Sequence, residues 1–323
     1  MHSVFFLRWP IFACALAYWL LTEAHAKKVF LQTLIIVCAL IMLDCVYQYL
    51  TGTDMIGKLI LPDNRLSGPY SAPVPGIMLL RVLFIANFAP FIFPKLRASS
   101  FAFHLQWLFF GICILFLMMT GERMAMLLYL LCLLIIVPMM VKTSTHPRRH
   151  VALWLLALIG VFAALVLLAP TTGTRVTTSI YEKMTHFGNS DYGLVFKAAF
   201  EAWQQHVWLG SGLHTYREVC DSMGLLTRWG MQCSHPHNVY LLLGAETGVI
   251  GVSLFCVMVF YIYKAALLPL LQQKAWWVLG ISCAALTVCF FPLIGGISLW
   301  NNWVAALVWT TVGWTLAMRQ ETA

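Results

Sequence analysis

A histidine able to take a proton and two arginines able to hold a phosphate have the clearest chemical use in this chain. His237 stands in CSHPHN, directly ahead of an apolar run. Imidazole titrates near neutrality, so one held at an apolar boundary can accept a proton from an attacking hydroxyl. Arg65, in PDNRLSGPYSAP, is flanked by Gly68, Pro69 and Pro73, residues that build a compact turn. Arg123 closes LFLMMTGER and is followed at once by another apolar run. Guanidinium groups grip phosphate through bidentate, charge-assisted hydrogen bonds, so the pair suits a diphosphate. For one arginine alone, snorkelling to headgroups or an ion pair such as Arg123 with Glu122 would be the simpler explanation.

Other polar residues have less to offer. His235 reads as a helix-capping residue that orders the loop, and Asn238 opens the apolar run after it. Glu246 lies roughly 13 Å from His237 along a continuous helix, too far for an acid–base dyad, so it is expected to anchor packing or an arginine. Arg81 falls about two turns into an apolar run, where a charge is expensive and turns inward, and Glu246 is its expected structural partner. Gly244, Gly248 and Gly251 form a stripe that lets another helix approach closely and pins the histidine-bearing end.

Eight of the ten cysteines sit in apolar runs as small hydrophobes. Cys220 and Cys233 share one long loop, and in an oxidising compartment they are expected to form a disulfide. The alternative, a zinc site of Cys220, Cys233, His235 and His237, lacks a Cys-x-x-Cys knuckle. No acidic pair in the loops is spaced to hold a divalent cation against phosphate, so no metal and no cofactor are expected.

The elements that must position these residues are membrane helices. Of 323 residues, 61% are hydrophobic and 10% charged, and mean hydropathy is +0.83, far from a soluble domain. Apolar runs near the ~20 residues needed to cross a bilayer recur along the chain, which points to helices rather than barrel strands. The expected fold is all-α and polytopic, with spans near 4–22, 29–50, 73–94, 101–120, 124–141, 151–169, 238–263, 276–297 and 302–318. The first is read as a retained helix rather than a cleaved signal. Residues 1–169 form an N-terminal set of six spans, 170–237 a long loop, and 238–323 the last three spans. Within the loop, Asp191–His206 reads as an amphipathic helix on the membrane surface with Phe196, Phe200 and Trp203 on one face.

Lys27, Lys28, Lys95, Arg97, Lys142, Arg148, Arg149, Lys264, Lys274 and Arg319 fall on one side, which the positive-inside rule makes cytoplasmic. The net charge of +8 is thus a topology signal, and nucleic acid is excluded as a partner. The N-terminus, the 51–72 segment, the Thr120–Arg123 corner, the 170–236 insertion and the Gly295–Asn301 corner all fall on the outer face.

Three separated motifs make the chain resemble the bacterial O-antigen ligase and O-antigen polymerase superfamily of lipid-linked oligosaccharide transferases. NRLSGPYSAPVPG resembles its Arg-x-x-Gly turn, TGERMAMLL its Ser-x-Arg corner, and HPHNVYLLLGAETGVIG its His-Asn-x-x-Leu stretch with Glu-x-Gly-x-x-Gly. WLGSGLHTY and FFPLIGGISLWNNW extend the likeness towards the C-terminus. Two features depart from the family. It has about twelve spans with a cytoplasmic N-terminus, three leading helices more than here. Its arginine at the head of the loop helix is replaced by Tyr192, leaving Lys197, Lys183 or Arg217 to supply the charge.

The resemblance implies a GT-C-like membrane fold and transfer of a glycan from undecaprenyl diphosphate to a lipid A-core hydroxyl on the periplasmic face of the inner membrane. His237 would then be the base, with Arg65 and Arg123 on the diphosphate, in a single inverting displacement. Polymerase and protein O-oligosaccharyltransferase differ only in acceptor. A transporter or flippase, suggested by the charge at Arg81, would instead need polar residues near mid-membrane and repeated halves.

Overall fold

The computed structural model describes residues 6–61, 65–88, 100–143, 185–224, 235–293 and 300–319, with isolated positions between 152 and 163 and at 298. Its α-helices are α1 Arg8–Tyr18, α2 Ala24–Thr51, α3 Pro75–Phe88, α4 Ser100–Met119 and α5 Arg123–Thr143. They continue as α6 Asp191–Gln205, α7 Tyr216–Ser222, α8 Val239–Gln272, α9 Trp276–Phe290 and α10 Asn302–Met318. Most of the expected sixth span, together with Lys183 and Cys233, lies outside the described residues.

Two helices, Ala24–Thr51 and Val239–Gln272, are long and apolar enough to cross a bilayer, and shorter apolar helices pack beside them. Large apolar side chains face outward along them, among them Ile36, Leu40, Leu43, Leu254 and Val257. An outward apolar face on a helix of that length is covered by lipid, so the chain is a helical membrane protein.

Polar contacts fix which helix ends lie together. Arg8 Nη2 donates to Asn302 Oδ1 at 2.6 Å, and Arg319 Nη2 donates to the Tyr18 hydroxyl at 2.6 Å, so α1 and α10 run side by side in the same direction. Lys142 sits 4.1 Å over the Trp276 ring, which joins the end of α5 to the start of α9. Thr311 Oγ1 donates to the Arg81 carbonyl at 2.7 Å, tying α10 to α3. One end of the bundle therefore gathers the starts of α1, α3, α5 and α10 with the ends of α2, α4 and α9. The opposite end carries Lys27, Lys28, Lys142, Lys274 and Arg319, in keeping with the charge asymmetry of the sequence.

The helix starts at the site-bearing end are capped by side chains. Asn238 Oδ1 accepts from the Tyr240 and Leu241 amides, Asn301 Oδ1 from those of Trp303 and Val304, and Ser190 Oγ from that of Gly193. Each satisfies amides that a helix start leaves without an intrahelical partner.

One expected span is not continuous. α8 breaks at Gly248, whose φ of 64° and ψ of −168° lie outside the helical region. Residues 239–247 form a short helix of roughly 13 Å, and the spanning part begins after the break. The cause is an intruding segment: Val249 N donates to Val207 O at 2.8 Å and Ile250 N to Trp208 O at 3.3 Å. On the other side of the break, Ser211 N and Gly212 N donate to the carbonyls of Ala245 and Glu246, each at 2.9 Å.

Gly244 and Gly248 thus serve the loop rather than a neighbouring span. A Cβ on Gly248 would lie 2.3 Å from the Trp208 carbonyl carbon, and one on Gly244 would lie 2.4 Å from Trp203 Cε3. Gly210 answers from the other chain, since its Cβ would come within 2.2 Å of the Glu246 and Thr247 backbone. Helix α6 forms over Asp191–Gln205, within one residue of the expected amphipathic segment. Its buried face is Val195, Ala198, Ala199 and Ala202, packed with Tyr216, Cys220, Leu242 and Ala245, while Phe200 is exposed. Small residues win that face because it lies flat on the first half of α8.

Candidate functional site

Around Arg65 the site is built from the end of α2 outward. Gln48 Oε1 accepts from the Ser67 and Gly68 amides at 3.0 and 2.9 Å, and Gln48 Nε2 donates to Ser67 Oγ at 3.2 Å. This buried amide fastens the Arg-x-x-Gly turn onto α2. Gly68 takes a φ of 49°, and a Cβ there would sit 2.6 Å from Cys45 Sγ, so glycine is demanded twice over. Arg65 Nη2 then donates to the Pro73 carbonyl at 3.0 Å, which holds the arginine beside the start of α3.

Glu122 lies at the same place. Its carboxylate accepts from the amides of Gly76 at 2.5 Å and Ile77 at 3.0 Å, capping α3 from the α4–α5 corner. Burial pushes its pKa up to about 7, against the pull of the two amides and of Arg65 and Arg81. Gly76 permits the approach, since a Cβ there would meet Thr120 Oγ1 at 2.8 Å and Glu122 Oε1 at 2.9 Å. The carboxylate is therefore committed to the start of α3. Arg123 opens α5 one residue later; its side chain lies outside the described residues.

The expected pairing of Arg81 with Glu246 is corrected. Arg81 is buried, donates from Nη1 to the Ile77 carbonyl at 2.7 Å, and has Glu122 as an acidic neighbour. Glu246, beside the break in α8, accepts instead from Trp300 Nε1 at 2.9 Å and from the amides of His214 and Tyr216. It ties three pieces together: the start of α7, the end of the short helix 239–247, and the corner before α10. His214, at φ 65°, lies 5.7 Å from the Trp300 ring.

His237 occupies the head of α8, one residue before the Asn238 cap. Its φ of 49° is left-handed, a conformation uncommon for a residue with a side chain and found disproportionately at functional sites. Its ring lies 4.1 Å from that of His235 and 5.6 Å, edge-on, from Tyr192. His237 Nδ1 is buried and makes no hydrogen bond. Burial lowers the His237 pKa from its ordinary value, and burial with the neighbouring imidazole lowers that of His235 to about 4. Both rings are accordingly neutral at pH 7. The Asn238 cap and the Tyr240 hydroxyl, which donates to the Phe290 carbonyl at 3.0 Å, hold this helix start against the end of α9.

The substitutes considered for the loop arginine separate. Tyr192 itself is the residue against His237. Lys197 is exposed, and Arg217 is exposed with Nε 3.9 Å from Asp221 Oδ2, so Arg217 is spent on a surface ion pair. Cys220 is buried and disulfide-bonded, which removes its thiolate from any zinc site; Cys233 lies outside the described residues. The eight other cysteines are free. Gln48 and Trp300 are not singled out by the sequence, which offers Glu122 only as an ion-pair partner of Arg123. A lone polar residue within an apolar run at a helix end was the signal available for Gln48.

The fold and these sites define a helical membrane protein whose polar constellation gathers at one end of its bundle. Residues 108–256 match a family model described as O-antigen ligase. That stretch holds the Thr120–Arg123 corner, the Trp208–Gly212 segment and the His237–Gly251 stretch, and it shows the resemblance to the O-antigen ligase and polymerase superfamily; the Arg65 turn lies ahead of it. No curated protein matches the chain.

Proposed function

We propose that the protein transfers a glycan from undecaprenyl diphosphate to a lipid A-core hydroxyl at the periplasmic face of the bacterial inner membrane. The observation that carries this reading is His237: a neutral, strained imidazole with an orphaned Nδ1, at the head of a helix inside the O-antigen ligase match. A buried polar atom without a partner costs about 1–3 kcal/mol, and folded chains keep such atoms where a ligand completes them.

His237 takes the proton of the acceptor hydroxyl as its oxygen forms the new bond to the anomeric carbon. The bond from that carbon to the diphosphate oxygen breaks in the same step, with inversion, and the leaving diphosphate carries away the electron pair. Arg65 and Arg123 bind the diphosphate and stabilise the charge it gains. Diphosphate leaves readily without a general acid, in contrast to the two-carboxylate scheme of glycoside hydrolysis. Neither metal nor cofactor has a role in this scheme.

The test is transfer in proteoliposomes supplied with lipid-linked glycan and either lipid A-core or a second lipid-linked glycan. Product on lipid A-core that disappears in His237→Ala, with the variant still inserted and folded, is the expected result. Turnover retained by His237→Ala would remove the base assignment, and chain extension of the second glycan alone would make the protein a polymerase.

A further inference from the structure

The segment Val207–Leu209 has three consecutive large apolar side chains facing outward, with Trp208 69% and Leu209 73% exposed. It is not helical, yet its backbone is not open. Val207 O accepts from both Val249 N and Trp203 Nε1, and Trp208 O accepts from Ile250 N. Gly210 N donates to His206 O at 2.9 Å, and Ser211 N and Gly212 N occupy the carbonyls on the near side of the α8 break. The Val249 and Ile250 amides and the Ala245 and Glu246 carbonyls on the two sides of the break at Gly248 are thus taken up by the segment and the two residues that follow Gly210, and the Val207 and Trp208 carbonyls by the break. Such mutual satisfaction lets irregular backbone lie at membrane depth.

The position along α8 sets where this segment sits. Ile250, hydrogen-bonded to Trp208, begins a line of exposed apolar residues that continues through Leu254, Val257 and Tyr261 at helical spacing. That line is the lipid-facing side of a helix apolar and long enough to span. No ionisable residue occurs from Val207 to Leu213, while exposed His206 and His214 bracket it.

We propose that Val207–Leu209 is a wedge seated in the hydrocarbon of the site-bearing leaflet, continuous with the lipid face of α8. The partner it fits is the acyl region of the bilayer, with Trp208 near the headgroup boundary, where tryptophan is favoured. The wedge holds the loop lobe against the membrane through the α8 break, and so fixes the height of the short helix that begins after His237. The proposal stands independently of the transfer reaction.

The experiment incorporates photoreactive p-benzoylphenylalanine at position 208 or 209 of the full chain, with position 217 as the solvent-facing control. The protein is reconstituted in nanodiscs of phosphatidylethanolamine and phosphatidylglycerol, illuminated, and analysed by mass spectrometry. Acyl-chain adducts at 208 and 209, at least about tenfold above position 217, are expected. Adducts to a second copy of the chain, or no lipid adduct at either position in protein that elutes as a folded monodisperse species, would overturn the proposal. Two positions are used so that a fold lost at one leaves the other to report.

Discussion

Replacing Glu122 with glutamine changes the pH dependence of stability in a way that can be worked out from its surroundings. The folded carboxyl holds its proton up to about pH 7 because burial outweighs the Gly76 and Ile77 amides and the nearby guanidinium groups of Arg65 and Arg81. The ordinary value is 4.5. Between those two values the folded state binds a proton that the unfolded state has released, so this group's contribution to stability falls as pH rises and levels off above the folded value. At 1.36 kcal/mol per pKa unit the loss is roughly 3 kcal/mol. His235 acts in the opposite sense. Its folded pKa of about 4 lies below the ordinary 6.5, so stability is lost as pH falls through that window. Wild-type stability alone therefore mixes two opposed slopes, and the informative quantity is wild type minus Glu122→Gln at each pH. Glutamine cannot ionise, and its single carbonyl oxygen can serve the two amides less well, a loss of about 1–3 kcal/mol. The variant should be the less stable protein at pH 5, and the two should converge or cross by pH 8. Unfolding by dodecyl sulfate titration in mixed micelles, followed at half-unit steps, measures this difference. A difference curve independent of pH would refute the buried, proton-holding carboxylate.

If neutral His237 is the base, the acidic limb of kcat/KM should fall below the ordinary histidine value of 6.5, since burial lowers its pKa; a limb centred above 7 would exclude it. Gly248→Ala would drive a Cβ to 2.3 Å from the Trp208 backbone at a positive φ, and thermal unfolding should show a loss of at least about 1–3 kcal/mol. Trp300→Phe removes the 2.9 Å hydrogen bond to Glu246 and should cost about 1.5–3 kcal/mol in the same assay. Arg217→Ala, which breaks only an exposed contact to Asp221, should leave transfer within about twofold of wild type.

Sequence patterning revealed the helical membrane class because a bilayer imposes the same apolar run on every span, whatever its neighbours. It also picked out the Arg65 turn, where Gly68 is required by both a positive φ and the contact with Cys45. Pattern could not reveal how distant pieces complete one another. Gly248 reads as one member of a packing stripe, since periodicity places glycines on a helix face but carries no trace of an intruding turn segment. The break exists because Gly210 and Gly248 each admit the other's backbone, a reciprocal requirement written in two motifs far apart in the chain.

The same limit explains Glu122 and Glu246. Each is a lone carboxylate in an apolar context, and charge alone suggested arginine partners, Arg123 and Arg81. In the fold Glu122 accepts from the Gly76 and Ile77 amides at the start of α3, and Glu246 accepts from Trp300 Nε1 with the His214 and Tyr216 backbone beside it. A helix start presents several amides with no partner of their own, and in a low-dielectric surround they attract a carboxylate without requiring a second buried ion. The arginine beside Glu122 is thereby held near a carboxylate that keeps its proton up to about pH 7.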